Sequence, residues 1–296
     1  MPSLDELKPF LVLGLALGGV FAMSGVGLVV LYRATGVLNL AYGAIGATGA
    51  LISWSLLGGW NEWIAFSACI GFGGAVTLVY GLVFGPPFAA REPLVKATAT
   101  LGLLLILLGV MQWVWGRDAH AFTLPTTRWS YRVLDVQINW TQIIGVAFPI
   151  LVTAGTAVFL RVTKVGTAMR ALANDREITA MLGVPVRRVE AAAWFGSGLI
   201  CGTAGLLLAN LVGLDIVGLT FLVIPALAAA LIGQLNSLWV TLVAGFVIGI
   251  VQSSLTAFTD VRLGEQSLAD YRALTPFVLA IIALLWFARR RPLVQT

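Results

Sequence analysis

The sequence predicts an all-α fold, a polytopic transmembrane bundle of about eight or nine membrane helices, and three features of it lead there. Of its 296 residues, 59% are hydrophobic and only 10% charged, with a mean hydropathy of +0.96, a composition typical of membrane chains and foreign to soluble domains. Stretches without any Asp, Glu, Lys or Arg run 10–32, 34–61, 63–90, 97–116, 136–160, 191–214 and 216–259, and each reaches the roughly 20 residues that a helix needs to cross about 30 Å of hydrocarbon. These runs lack the strict alternation of a barrel strand, so helices, which satisfy their own backbone, are the expected spanning structure.

Taken in order, the first run is expected to stay in place as a transmembrane helix and not as a cleaved signal, because Asp5 and Glu6 precede it beside a single Lys8. The second holds Gly36-Val-Leu-Asn39-Leu-Ala-Tyr42-Gly43-Ala-Ile-Gly46. Read as one helix, spacings of three and four put Asn39, Tyr42, Gly43 and Gly46 on one small, polar face. Two readings of that face stand: a close helix–helix contact sealed by an interhelical Asn bond, or the lining of a passage, since Asn in hydrocarbon must face protein or water. The fourth run begins Lys96-Ala-Thr98-Ala-Thr100, whose hydroxyls either bond their own helix carbonyls or line the same passage.

The connection 161–190 is the longest charged segment, within what reads otherwise as a single membrane domain, 1–296. Gly166 to Asn174 and Asp175 to Leu182 read as two short amphipathic helices, with Asn174 or Asp175 as cap, Gly183 as terminator and Pro185 after it. It is either an interfacial loop with snorkelling arginines or a knob for another subunit. The run 216–259 is too long for one crossing; the turn-forming Gly233-Gln-Leu-Asn-Ser237 divides it, and 216–235 is the element most prone to be re-entrant. The last run, 273–288, is short but flanked by Tyr271 and Arg289 to Arg291 as interfacial anchors.

With nine crossings, 12 of the 18 basic residues fall in one set of connections: Arg33, Arg91, Lys96, those of 161–188, and the C-terminal tail. The positive-inside rule then puts the N-terminus outside and the C-terminus in the cytoplasm. That bias explains the net charge of +5 without a nucleic-acid partner. Cys69 and Cys201 sit in apolar runs as small hydrophobes, and the lone His120 has no neighbouring ligand set, so neither a disulfide nor a metal site is expected. Gly14 with Gly18 and Gly245 with Gly249 mark candidate packing faces, and Trp113, Trp115 and Trp140 beside the 117–135 loop read either as an aromatic belt or as part of a surface at the interface that receives another protein.

Chemistry is conspicuous by its lack. Lys8, Lys96 and Lys164 are followed by Pro, Ala and Val, so no Walker A loop exists and any ATP is hydrolysed elsewhere. The apolar runs carry no ionisable group of the kind ion-coupled carriers hold. A single-chain secondary carrier using hydroxyls and carbonyls stays open, as does a membrane protein without transport.

The order and spacing of these segments resemble the branched-chain amino acid ABC transporter permease family of the LivH type over nearly the whole chain. The residues that carry the likeness are Gly36-Val-Leu-Asn39-Leu-Ala-Tyr42-Gly43, Ala97-Thr-Ala-Thr100-Leu-Gly102, and Arg170-Ala-Leu-Ala-Asn174-Asp175 followed by Ala180-Met181-Leu182-Gly183-Val, the last the most specific. The resemblance implies a non-enzymatic importer subunit in a bacterial inner membrane, with a substrate path at Asn39, Tyr42, Gly43, Gly46, Thr98 and Thr100. It implies ATPase coupling through Gly166, Met169, Arg170, Leu172, Asn174, Asp175, Met181, Leu182 and Gly183. It also implies a second permease, commonly a related but distinct chain, two ABC ATPases that hold the ATP and Mg, and an extracytoplasmic substrate-binding protein. Leu40, Tyr42, Ala44 and Gly233 to Ser237 depart from the family pattern; a less polar path around Tyr42 and Ala44 suggests a solute more apolar than leucine, while urea, short amides and aromatic or organic acids fit the same architecture.

Overall fold

In the computed structural model, residues 4–57, 59–88, 91–127, 130–133, 136–258, 262–263 and 266–290 are described. Arg128, Asp135 and Arg291 lie outside them. Helix α1 (Leu4–Thr35) is followed by α2 (Tyr42–Leu57), α3 (Glu62–Phe88) and α4 (Pro93–Trp115). Then come α5 (Trp140–Val162), the short pair α6 (Lys164–Asn174) and α7 (Arg176–Met181), and α8 (Val186–Val212). The chain ends with α9 (Ile216–Thr220), α10 (Val223–Ile232), α11 (Leu238–Leu255) and α12 (Thr275–Arg290).

Among the described residues, six helices are long and apolar enough to cross a membrane, and three shorter apolar elements, Tyr42–Leu57, Ile216–Ile232 and Tyr271–Phe287, accompany them. Two two-stranded hairpins, Ser130–Val133 with Val136–Asn139 and Arg262–Leu263 with Gln266–Ser267, lie in the connections. They are too short to carry a periodic signal, and Val136–Asn139 corrects the start of the run 136–160, expected to be helical throughout.

The bundle has two distinct ends. At one, Arg33 donates to the Asn236 carbonyl at 3.1 Å, and a cavity brings Arg33, Lys96, Asn174, Arg176 and Asn236 together. At the other, His120 pairs with Leu214 by backbone, stacks on Trp54 and meets the Trp115 carbonyl. Helix α4, with 23 residues and so about 35 Å long, separates Lys96 from Trp115. The α9–α10 element therefore passes from the His120 end, at Leu214, to the Arg33 end, at Asn236, interrupted between Thr220 and Val223. It is a broken crossing and not a re-entrant one.

Helix α1 and helix α8 run in opposite senses and touch each other. Helix α1 packs on α10 and α11, and α8 packs on α2 and α3. Two central helices of opposite direction thus each carry a close seam, α1 with α11 and α8 with α3. Glycine makes both seams possible. A Cβ on Gly249 would fall on the Gly18 backbone and one on Gly245 on Ala22; on the other seam, Gly198 and Gly73 exclude each other's Cβ in the same way. The two small-residue pairs of the sequence, Gly14 with Gly18 and Gly245 with Gly249, are the two sides of one contact.

Candidate functional site

The expectation that 36–50 is one helix is corrected by the structure. Helix α1 ends at Thr35, whose hydroxyl bonds back to the Leu31 carbonyl at 2.8 Å. Gly36 takes φ +69°, which few other residues adopt without strain, and α2 begins only at Tyr42. Asn39 is therefore not on a helix face shared with Tyr42, Gly43 and Gly46. It sits in an irregular stretch, where its Oδ1 accepts from the Ala41 N–H at 3.0 Å, a local bond that competes with helix.

Open backbone at membrane depth must be satisfied by protein, and Thr100 supplies much of it. Its Oγ1 accepts from the Leu40 N–H at 3.0 Å, while its proton lies between the Ala97 carbonyl at 2.7 Å and the Leu38 carbonyl at 3.0 Å. One hydroxyl of α4 thus clamps the strand between α1 and α2. Thr98, two residues away, is exposed and only bonds its own helix at Leu94. The Asn39 Nδ2 is buried without a hydrogen-bond partner, an uncommon condition that costs on the order of 1–3 kcal/mol.

Tyr42, 1% exposed, fills the space between α1 and α8. Its hydroxyl lies 3.4 Å from the Ser197 carbonyl, a long hydrogen bond, and against Gly27, where any Cβ would collide with it. The Tyr42 carbonyl accepts the Cys201 thiol at 2.8 Å, and Ser197 donates to the Gly27 carbonyl at 2.9 Å. Gly43 is pressed on the Thr220 carbonyl, where α9 ends, and Gly46 on Cys201 and Gly205 of α8. The structure therefore brings Asn39, Tyr42, Gly43, Gly46 and Thr100 to one place and leaves Thr98 outside it. There α2, just after the 36–41 break, meets the end of α9, just before the 221–222 break, through Gly43 and Thr220.

Helices α6 and α7 match the sequence reading closely. Asp175 caps α7, its carboxylate accepting from the Ile178 N–H at 2.9 Å, and Gly183 ends the unit at φ +81°. Gly166, Met169 and Leu172 are buried against the body of the chain, with Gly166 pressed on Phe159 and Leu160. Arg170, Asn174, Met181 and Leu182 are exposed, Met181 to 84% and Leu182 to 78%. The pair is fixed to the bundle by Arg176, which meets Glu190 of α8 at 2.8 Å beside Lys96 of α4 in a small pocket that Thr35 and Val37 also line.

Sequence reasoning missed one polar centre. Asn210 of α8 accepts from the Leu124 N–H at 2.9 Å and the Thr127 hydroxyl at 3.1 Å, and donates to Thr141 of α5 at 2.8 Å. It pins Leu124 and Thr127 to α8. The signal was present, since Asn210 is the only amide side chain in the charge-free run 191–214.

A family model described as the branched-chain amino acid transport system / permease component matches residues 10–285. The chain belongs to that family. Permease components are transport subunits and not themselves enzymes. The chain is similar to the high-affinity branched-chain amino acid transport system permease proteins LivH of Escherichia coli (strain K12), 23% identical over 92% of this chain and 91% of the relative, and BraD of Pseudomonas aeruginosa, 24% identical over 97% and 95%. In fold it matches a solved structure described as a metal-chelate type ABC transporter in an inward-facing conformation, with a TM-score of 0.50, 16% identity, and 94% of this permease and 85% of that chain covered.

Proposed function

We propose that this permease forms one half of the translocation path of an ATP-binding-cassette importer for branched-chain amino acids or similar small solutes. The observation that carries this is the conjunction of the family match over 10–285 with an exposed apolar tip, Ile178, Met181 and Leu182, on a rigid helical pair beyond the ends of the crossings. An apolar tip outside hydrocarbon points to a partner surface. Gly166, Met169 and Leu172 seat the pair, Asn174, Asp175 and Gly183 shape its turns, and Arg170, Met181 and Leu182 present to the partner.

The partners are two ATPase subunits, which bind the ATP and Mg, a second permease related to this one, and an extracytoplasmic binding protein that delivers the solute. The Arg33 end then faces the cytoplasm, so the N-terminus lies outside and the C-terminus inside, as the distribution of basic residues supports. Asn39, Tyr42, Gly43, Gly46 and Thr100, with Thr98 at the rim, belong to the path in the states where the two interrupted crossings part. A broken crossing suits that task, because it supplies backbone and helix ends to a solute without buried charge. The apolar setting of Tyr42 and Ala44 favours a solute more apolar than leucine.

The test is uptake into proteoliposomes holding the full complex, with labelled leucine, isoleucine, phenylalanine, glutamine and urea. ATP-dependent uptake led by the apolar amino acids is expected. Equal or better uptake of glutamine or urea would remove the substrate assignment.

A further inference from the structure

Three arginines meet around a cavity of about 280 Å³ at the Arg33 end: Arg33 from α1, Arg161 from the last turn of α5 and Arg170 from α6. Asn236, Ser237 and Trp239, around the start of α11, close the other side. Among the described residues, no Asp or Glu lines it and none of the three arginines forms an ion pair. Asp175, the nearest acid in sequence to Arg170, is committed to capping α7. Three like charges around one small space are unfavourable unless an anion joins them, and the guanidinium fork is the side chain best suited to phosphate oxygens.

The cavity's position narrows the anion. It lies where α1 and α5 end and α11 begins, the level at which headgroups surround a bundle. Trp239 also lines a second, apolar groove of about 640 Å³ between α11 and α12, walled by Val243, Val247, Leu279, Ile282 and Trp286. From Trp239 to Ile248 that groove follows α11 for about 14 Å, roughly half of the hydrocarbon thickness, the depth of one leaflet.

We propose that the two cavities form one site for an anionic phospholipid, its phosphate held by Arg33 and Arg161, with Arg170 at the rim adding positive charge, and an acyl chain laid in the α11–α12 groove. The site is independent of the solute path and of the identity of the solute. It ties α1, α5, α6 and α11 together at the end where α6 and α7 sit, so an occupied site stiffens the seat of that helical pair.

The test is native mass spectrometry of the full chain, purified with its bound partners, delipidated and reloaded with equal amounts of phosphatidylglycerol and phosphatidylcholine. A preference for phosphatidylglycerol of about tenfold or more is expected, and it should vanish in Arg33→Gln/Arg161→Gln. Arg187→Gln/Arg188→Gln, which removes two exposed charges outside the cavity at the same end, should keep it, and Val243→Trp, which blocks the groove, should lower retention of the lipid. Equal retention of both lipids by the assembled complex would mean that a partner's acidic side chains fill the cavity, and would overturn the proposal. So would a preference lost equally in the Arg187/Arg188 variant, or displacement of the lipid by millimolar glycerol phosphate, which would mark a site for free anions.

Discussion

Thr100 shows how much of this molecule rests on single hydroxyls. Thr100→Val keeps the shape but leaves the Leu40 N–H and the Leu38 carbonyl without the partner they have, a loss of about 1–3 kcal/mol. The thermal midpoint of the detergent-solubilised protein should fall and uptake with it, whereas Thr98→Val, at an exposed site bonded only within its own helix, should change neither. Equal effects of the two would remove the clamp. The sequence marked both threonines alike, because spacing reports direction around a helix and not which neighbour lies opposite. Asn39 was legible as an uncommon residue in an apolar run, but its place was misread: Gly36 and the Asn39–Ala41 bond stop the helix that a period of 3.6 would continue.

Among the elements, the close seams offer the sharpest contrast. Gly73 and Gly71 stand two residues apart in α3, yet a Cβ on Gly73 would strike the Gly198 carbonyl and one on Gly71 would meet nothing. Gly73→Ala should destabilise the α3–α8 contact by about 1–3 kcal/mol, while Gly71→Ala should be neutral or stabilising by up to about 1 kcal/mol through helix propensity. Thermal melts of the two variants check this, and a Gly73→Ala protein as stable as the parent would contradict the packing. Helices α6 and α7 were the most legible elements in the sequence, since Asp175, Gly183 and Pro185 are caps and stops that act locally. The Arg176–Glu190 pair that anchors them was not legible, because it joins residues across a turn whose direction only the fold sets. Arg170→Glu, at an exposed position of α6, should lower ATP-dependent uptake several-fold while the chain remains in the membrane in normal amount. Unchanged uptake with unchanged ATPase association would remove α6 from coupling.

For the whole molecule, hydropathy sufficed for the fold class and the approximate number of crossings, because hydrocarbon leaves a chain so few options. It did not tell that two crossings are broken and that their breaks meet at Gly43 and Thr220. Nor did it tell that the α1–α11 and α8–α3 seams repeat one another in opposite directions. The breaks, 36–41 and 221–222, are short stretches inside otherwise apolar runs, and a hydropathy average over about 20 positions passes over them. The arrangement explains how a chain without Asp, Glu, Lys or Arg in its apolar runs can still transport. It offers helix ends and backbone at its centre, and it carries at one end a helical pair through which, in the function proposed above, force from elsewhere is applied.

That dependence on outside force is the central claim, and co-purification tests it most directly. The chain, expressed at native level and purified from a mild detergent extract, should bring with it ATPase subunits and a second permease, and the assembly should hydrolyse ATP. Recovery of the chain alone in repeated preparations, without ATPase activity and yet competent for uptake in liposomes, would contradict it.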